Sequence, residues 1–318
     1  MARPSVAIVV LNYNGRGLLE RYLPSILALD YDPVEVVVAD NASTDDSLAF
    51  LADVEGVTVV ETGGNVGYSQ GYNRAAARLG DYDYLWLLDN DVRVEPDSLG
   101  RLVDHMEANP GTGLVVPRIN DMGTDRIQSL GFHYDRFGRS FPKEAGRTIP
   151  SNPDPHPVTY GMGPAMLVRR EVWEAVGGFD DRHFMYGDDD YLGLQTWLRG
   201  YRVEVVPESV VYHERENTDG STLGAFDVYQ DSWSRTRTYL KSLQASSLLV
   251  GLPVFCALVA ARAGKDLAVR TSPGLAFHRL LGVYDALLEA PELLRDRRAI
   301  QRERVLADRE FLDPVRGE

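Results

Sequence analysis

The chain has 318 residues and a formal net charge of −14, and hydrophobic residues make up 44% of it. This composition supports a packed core and excludes collagen-like, coiled-coil and wholly disordered chains. The acidic balance disfavours binding through neutralised phosphates, so we expect no nucleic-acid partner. The lone cysteine, Cys256, rules out an intrachain disulfide and a cysteine-based zinc site.

The first 92 residues alternate between predicted strands and helices. Apolar runs predict strands at 6–12, 34–40, 57–61 and 84–88, and apolar spacing predicts helices at 16–28 and 72–79. This order implies a parallel sheet with helices on its faces. Ligands bind at the carboxyl ends of the strands in such sheets.

The remaining sequence is less regular up to residue 160 and then resumes a mixed pattern. Strands are predicted at 166–168 and 202–206, helices at 171–176 and 189–199, and a proline-containing loop at 142–157. From residue 226 to residue 310 the pattern is mostly helical, and Pro253, Pro273 and Pro291 are expected to divide it.

Two polar segments follow predicted strands in the first half. Asp40 ends a strand and precedes a polar turn, where its carboxylate can accept a hydrogen bond from a base or can belong to a helix N-cap. A glycine-spaced loop at 63–71 allows backbone to approach a ligand near a helix N-terminus. The loop lacks the G-x-G-x-x-G spacing of dinucleotide sites.

Three groups of acidic or histidine residues suggest metal-binding or catalytic chemistry. Asp89 and Asp91 flank Asn90 at a strand end, which suits a hard cation that holds phosphates, although acids also occur in ordinary turns. Residues 188–190 are three consecutive aspartates that either offer a general base or satisfy a helix dipole. His213, after an apolar strand, is either a ligand or a structural residue.

Taken together, these segments resemble a known family. The ordered signatures are VVLNYNG (9–15), ADNASTDDS (39–47), NVGYSQGYN (65–73), LLDNDV (87–92), the block 163–192 and GYRVEVVPESVVYHE (200–214). They resemble the family 2 glycosyltransferases, and most of all their rhamnosyltransferase-like branch. The resemblance implies an α/β fold of the GT-A type, a Rossmann-like and mostly parallel sheet flanked by helices that binds nucleotide sugars.

The resemblance also implies a role for each matching residue. The acid that contacts the nucleobase of the donor falls on Asp40. Asp91 and Asp89 hold Mg²⁺ or Mn²⁺ on the diphosphate, and His213 completes the metal ligands. The general base falls on Asp189, supported by Asp188. The other matching positions expected to bind the nucleotide sugar are Asn12, Asn14, Asn41, Asn65, Gly67, Gly71 and Asn73.

Two departures from the family pattern affect these expectations. Asp188 and Tyr191 stand where the family usually has Glu and Asp, and Asp190 is a neighbouring candidate for the base. The Q-x-x-R-W signature of processive synthases is absent. The resemblance therefore implies an inverting, non-processive transferase that adds one sugar to a hydroxyl of a glycan or lipid-linked acceptor.

Two other classes stay open from the residues alone. A nucleotidyltransferase on a related sheet usually carries a basic glycine loop near its first strand, and residues 12–15 contain no basic side chain. A non-catalytic protein that binds nucleotides or glycans would leave the carboxylates unexplained.

The tail differs from the rest of the chain. We expect a GT-A domain at 1–225, with halves at 1–92 and 93–225, and a helical extension at 226–318. Residues 1–240 hold 21 basic and 37 acidic side chains, against 12 and 10 in residues 241–318. The apolar run 248–261 predicts a helix of about 21 Å, shorter than a bilayer core of roughly 30 Å.

Five arginines lie near the end of this tail, at positions 295, 297, 298, 302 and 304. With the apolar run they predict a peripheral membrane contact through 245–318 on the cytoplasmic face of the cell membrane, close to a lipid-linked acceptor. The alternative is that the apolar helix packs against the catalytic domain or a second subunit.

Overall fold

The computed structural model describes residues 3–312 apart from 125, 144–145, 147–153 and 215–223. Its strands are β1 (Val6–Asn12), β2 (Val34–Asp40), β3 (Val57–Glu61), β4 (Tyr84–Asp89), β5 (Val92–Val94), β6 (Thr112–Asp121), β7 (Ile127–Ser129), β8 (Phe132–Tyr134), β9 (Ser140–Pro142), β10 (His156–Pro157), β11 (Ala165–Arg169) and β12 (Arg202–His213). Its helices are α1 (Arg16–Leu27), α2 (Ser47–Ala52), α3 (Gly67–Ala76), α4 (Ser98–Ala108), α5 (Arg170–Val176), α6 (Asp188–Leu198), α7 (Ala225–Ser242), α8 (Ala245–Ala268), α9 (Pro273–Leu288) and α10 (Ala290–Arg302).

One large sheet organises the molecule, in the order β10-β12-β6-β11-β4-β1-β2-β3. Strands β1–β4, β6 and β12 point the same way, and β11 runs antiparallel between β4 and β6. The register pairs Asn12 with Asp40 and Leu11 with Asp89, so the carboxyl ends of β1, β2 and β4 meet at one edge. The expected α/β class with a mostly parallel sheet is confirmed.

Helices cover both faces of this sheet because its central strands are apolar on both sides. Val9, Ala39 and Leu87 face one cluster of buried side chains, which includes Tyr72 of α3. Ile8, Val38 and Leu88 face the other, which α1 and α4 cover.

Several element bounds differ from the sequence predictions. Helix α3 begins at Gly67 instead of residue 72, because the backbone N–H of Tyr68 already donates to the Phe184 carbonyl oxygen. Strand β12 continues past residue 206 to His213 through an irregularity between Val206 and Val210, and it then pairs with β5. Helix α4 and strand β6 lie in the segment where the pattern was irregular.

The C-terminal region is helical, as predicted, but its prolines do not all end helices. Pro273 and Pro291 lie in the first turns of α9 and α10, whereas Pro253 is inside α8. Helix α8 has 24 residues, or about 36 Å, because its polar flanks continue the helix. By length and composition alone α8 could cross a membrane, and 17% of its most apolar window is buried.

The five tail arginines do not form one surface patch. The Arg297 guanidinium donates to the backbone oxygens of Leu240 and Leu243, each at 2.6 Å. Arg304 pairs with Asp308 at 2.7 Å, and both side chains are buried. These two arginines therefore hold the helices together. The predicted cluster of five arginines at a membrane surface is wrong for Arg297 and Arg304.

Candidate active site

A cavity of about 420 Å³ opens at the sheet edge where β1, β2 and β4 end. It is lined by Leu11, Tyr13, Asn41, Asn65, Gly67, Tyr68, Asp89, Asn90, Asp91, Phe184 and Met185. The cavity therefore collects residues from all four N-terminal signatures and from the loop that precedes α6.

Hydrogen bonds of Asn12 and Asp40 stabilise the strand ends beside the cavity. The Asn12 Nδ2 donates to Asp40 Oδ2 at 3.1 Å, and Asn90 Nδ2 donates to Asn12 Oδ1 at 2.7 Å. Asp40 also accepts the backbone N–H of Ser43 at 2.8 Å, and its side chain is fully buried. The structure thus places both residues behind the cavity wall, where Asp40 orders the turn after β2.

Asn14 and Asn41 shape the loops around the cavity. Asn14 Oδ1 accepts the backbone N–H of Thr44 at 2.7 Å, which ties the loop after β1 to the turn after β2. Asn41 Oδ1 accepts the N–H of Val66 at 3.1 Å, and its Nδ2 donates to Asn65 Oδ1 at 3.1 Å. The predicted side chains are therefore brought together, with Asn41 and Asn65 on the wall itself.

The glycines of the third signature have different roles. Gly67 has a φ of 82°, and a Cβ there would lie 2.2 Å from the Phe184 carbonyl oxygen, so only glycine fits. Gly71 lies inside α3, where a Cβ would come within 2.5 Å of Leu11. Gly71 is therefore a packing position instead of a cavity-lining one.

Asn73 also lies away from the cavity wall. Its Nδ2 donates to the Phe179 carbonyl oxygen at 2.9 Å, and its Oδ1 accepts the N–H of Phe179 at 3.0 Å. These bonds fix the segment that leads into α6, and the expected contact of Asn73 with the nucleotide sugar stays a prediction.

Asp89, Asp91 and His213 form a candidate cation site. Their ligand atoms all lie within 4.8 Å of one another, and His213 Nε2 is 3.2 Å from Asp91 Oδ2. Asp91 Oδ1 is buried and has no hydrogen-bond partner among the residues described. Burial and the charge of Asp91 raise the pKa of Asp89 to about 7, and His213 and the Tyr72 hydrogen bond lower it.

These three residues fit a divalent cation. Two carboxylates and one imidazole provide the donors, and the Asp91 oxygen without a hydrogen-bond partner is suited to a positively charged ligand. Gln128 of β7 lies on the far side of the histidine, with its Oε1 3.0 Å from His213 Nδ1. A hydrogen bond there directs Nε2 toward Asp91.

The three aspartates at the start of α6 have different surroundings. Asp190 is fully buried, Asp188 is 6% exposed and Asp189 is half-buried. Burial raises the pKa of all three carboxyl groups, to about 7 for Asp190. Asp189 is the most accessible of the three, as a base that must reach a substrate requires.

Tyr68 and Tyr72 connect these carboxylates to the cation site. The Tyr72 hydroxyl donates to Asp89 Oδ1 at 3.1 Å. Burial raises the pKa of Tyr68 well above its usual value, as do the nearby charges of Asp89, Asp188 and Asp189. The charges of Asp188 and Asp189 and the charge of Asp89 thus act on the same side chain, which lines the cavity.

Sequence reasoning missed Gln128, Phe184 and Arg235, of which Arg235 donates to Asp190 Oδ2 at 3.2 Å from α7. Gln128 lies in a strand of three residues, too short for a periodic signal. Phe184 contributes its backbone oxygen to the Tyr68 N–H at 2.6 Å, and a backbone contact leaves no mark in composition.

Residues 6–177 match the model of the family described as "Glycosyl transferase family 2". The chain belongs to this family. Over 240 residues it is 32% identical to N-acetylglucosaminyl-diphospho-decaprenol L-rhamnosyltransferase of Mycobacterium tuberculosis, covering 67% of this enzyme and 77% of the relative. It is also 32% identical over 229 residues to glucosyl-dolichyl phosphate glucuronosyltransferase of Haloferax volcanii, covering 66% and 67%.

The fold resembles that of solved glycosyltransferases. One is the mannosyltransferase PcManGT from Pyrobaculum calidifontis in complex with GDP-Man and Mn²⁺, with a TM-score of 0.55 and 20% identity over 93% of this enzyme and 88% of that chain. The expected GT-A fold is confirmed. The family identifies the chain as a nucleotide-sugar glycosyltransferase of the rhamnosyltransferase-like kind, and the nucleotidyltransferase and non-catalytic alternatives are set aside.

Proposed function

We propose that this enzyme moves one sugar from a nucleoside-diphosphate sugar to a hydroxyl of a lipid-linked acceptor, with inversion at the anomeric carbon. The observation that supports this most is that Asp89 and Asp91 of the candidate cation site line the cavity together with Met185 of the segment before α6. Asp188 and Asp189 begin α6 just after Met185, and their charges act on Tyr68, which also lines the cavity.

Asp189 is the general base in this proposal. Its carboxylate takes the proton of the acceptor hydroxyl, which attacks the anomeric carbon from the face opposite the departing diphosphate. A Mg²⁺ or Mn²⁺ ion held by Asp91, Asp89 and His213 would supply charge neutralisation for that diphosphate. One carboxylate is then enough, since no general acid has to protonate the leaving group.

The nucleotide occupies the wall formed by the first three signatures. Asn41 and Asn65 line the cavity, and Tyr13 adds an aromatic ring that is 48% exposed at its rim. Asp40 serves this region by holding the turn at 41–45 in place. This assignment keeps the expected nucleotide-binding segment but moves the direct contacts from Asp40 to its neighbours.

The acceptor is lipid-linked, and the enzyme works on the cytoplasmic face of a membrane. The two relatives carry diphospho-decaprenol and dolichyl phosphate in their names. Helices α8 and α9 expose large apolar side chains that fit a lipid surface, with Leu249 at 81%, Leu288 at 61% and Phe277 at 60% exposure.

A turnover assay tests this function. The enzyme is incubated with Mn²⁺, a polyprenyl-diphosphate-linked sugar in detergent and, in turn, UDP-, dTDP- and GDP-sugars. We expect free nucleoside diphosphate from one donor class, and only when the acceptor is present. Release of pyrophosphate from a nucleoside triphosphate and a sugar phosphate would contradict the proposal.

A further inference from the structure

We propose that Arg235 of the C-terminal helix α7 is a positioning residue for the reaction, because it holds Asp190 and thereby places Asp189 for proton transfer. The inference rests on the proposed role of Asp189 as the base. It means that the helical extension completes the active site instead of only anchoring the enzyme.

Contacts from three elements fix the Arg235 guanidinium. Its Nη1 donates to Asp190 Oδ2 of α6 at 3.2 Å and to Ser140 Oγ of β9 at 3.3 Å, and its Nε donates to Asp231 one turn earlier in α7. Ser140 in turn accepts the Tyr160 hydroxyl at 2.7 Å. A planar guanidinium held in this way has a defined orientation.

Asp190 needs this cation. Its side chain is fully buried, and its Oδ1 has no hydrogen-bond partner within the described ranges. A buried carboxylate without a compensating charge is strongly disfavoured. Arg235 therefore offsets the charge of Asp190 and holds its carboxyl group in place.

Asp190 is linked directly to the base. Its backbone N–H donates to Asp189 Oδ1 at 2.8 Å, which sets the direction of that carboxylate at the first turn of α6. A change in the position of Asp190 consequently moves the oxygen that must meet the acceptor hydroxyl. The chain of contacts runs from Arg235 through Asp190 to Asp189.

The charged groups around Asp189 also support a role for Arg235. The titratable groups that face it are Asp188 and Asp190 on α6, Arg235 and Asp231 on α7, Tyr160, and Tyr68 on α3. Arg235 is the cation in this group. Burial raises the pKa of Asp189 and Arg235 lowers it, so loss of the guanidinium leaves the base protonated at higher pH.

The test is the pH profile of kcat in four variants, with nucleoside diphosphate release as the readout. Arg235→Met should lower kcat at pH 7 about tenfold and move the acidic limb up by roughly one pH unit, while Arg235→Lys keeps the limb near its wild-type position. The double variant Asp190→Asn/Arg235→Met removes both charges and should return the limb toward wild type. Arg298→Met, at an exposed position of α10, is the control and should match wild type.

Two outcomes would overturn the inference. In one, Arg235→Met raises the acceptor KM, leaves the limb in place and is not rescued by Asp190→Asn, which makes Arg235 an acceptor contact. In the other, a double-mutant cycle on unfolding shows no coupling between Arg235 and Asp190. That cycle does not involve Asp189, so it stays informative even if Asp189→Asn proves active and the base assignment fails.

Discussion

At the scale of single residues, the cation site joins side chains that are distant in sequence. Asp89 is the last residue of β4 and Asp91 lies two residues later, whereas His213 is the last residue of β12 and lies at the same point. The backbone N–H of Glu214 donates to the Asp91 carbonyl oxygen at 2.9 Å, which secures this junction. The site therefore depends on the long strand β12 reaching the edge next to β5.

Substitution of Asp91 tests the site without any turnover. Wild-type enzyme should gain about 2.7 kcal/mol of unfolding free energy from Mn²⁺ at 100 times its dissociation constant. Asp91→Asn should lose most of this gain, because it removes the carboxylate with the orphaned oxygen. Thermal unfolding with and without Mn²⁺ measures the difference. Asp53→Asn, at an exposed position, is the control, and an equal gain in Asp91→Asn would refute the site.

Spacing along the sequence was enough to find Asp89 and Asp91, because both follow a fully apolar strand. It could not place Gln128 or Arg235, which reach the site through tertiary packing of β7 and α7. For Asp40, the sequence predicted the position but not the surroundings of the side chain. Its position at a strand end was predicted correctly, but its burial follows from the Asn12 and Ser43 contacts, which no local pattern encodes.

At the scale of elements, the loop into α3 and the loop into α6 support each other. The Tyr68 N–H donates to the Phe184 oxygen at 2.6 Å, and Gly67 lies directly against the same carbonyl. The early start of α3 depends on this contact. A sequence reading based on apolar spacing therefore placed the helix start too late.

Gly67→Ala should weaken donor binding. The new methyl group would meet the Phe184 oxygen at 2.2 Å in addition to the strain of a positive φ, and one cavity wall must move. Gly63→Ala is a matched control, because Gly63 has a φ of 84° with no atom within 4 Å. Calorimetric titration with a nucleoside diphosphate should show at least tenfold weaker binding in Gly67→Ala alone. Equal affinities in the two variants would contradict this account.

His183, in the segment between α5 and α6, predicts an effect of pH on the stability of the enzyme. It is fully buried between Tyr191 and Trp233, and burial lowers its pKa to about 3. A depressed histidine pKa gives stability that is present above pH of about 6.5 and is lost as pH falls toward 3, because the unfolded chain takes up the proton first.

His183→Gln removes this titration. Its unfolding free energy should fall less steeply than that of wild type between pH 6.5 and pH 4, as measured by urea denaturation at each pH. Parallel curves for the two proteins would show that the histidine does not titrate on unfolding.

At the scale of the whole molecule, the helical extension and the catalytic half share buried ion pairs. Lys241 of α7 contacts Asp180 in the segment before α6, and Arg235 of α7 pairs with the fully buried Asp190 of α6 at 3.2 Å. The alternation of strands and helices predicted the sheet, since continuous apolar runs ended at polar residues. Charge counts along the chain could not predict this interface, because they do not show which charges are buried.

The exposed face of α8 and α9 should carry the enzyme to membranes. In flotation on vesicles of anionic lipid, wild type should float at low salt and less at high salt. Leu249→Ser/Leu288→Ser should float less, because it removes two of the most exposed apolar side chains of this face. Leu27→Ser on α1 is the control. Wild-type enzyme that stays soluble at low salt would exclude membrane docking.

The most direct test of the account is the turnover of Asp189→Asn. The change is nearly isosteric, so donor affinity should match wild type while kcat falls about 10²- to 10⁴-fold, the usual contribution of a general base. Nucleoside diphosphate release and donor titration measure the two quantities in parallel. An Asp189→Asn enzyme that turns over at the wild-type rate, while Asp188→Asn or Asp190→Asn is inactive, would contradict the proposed mechanism.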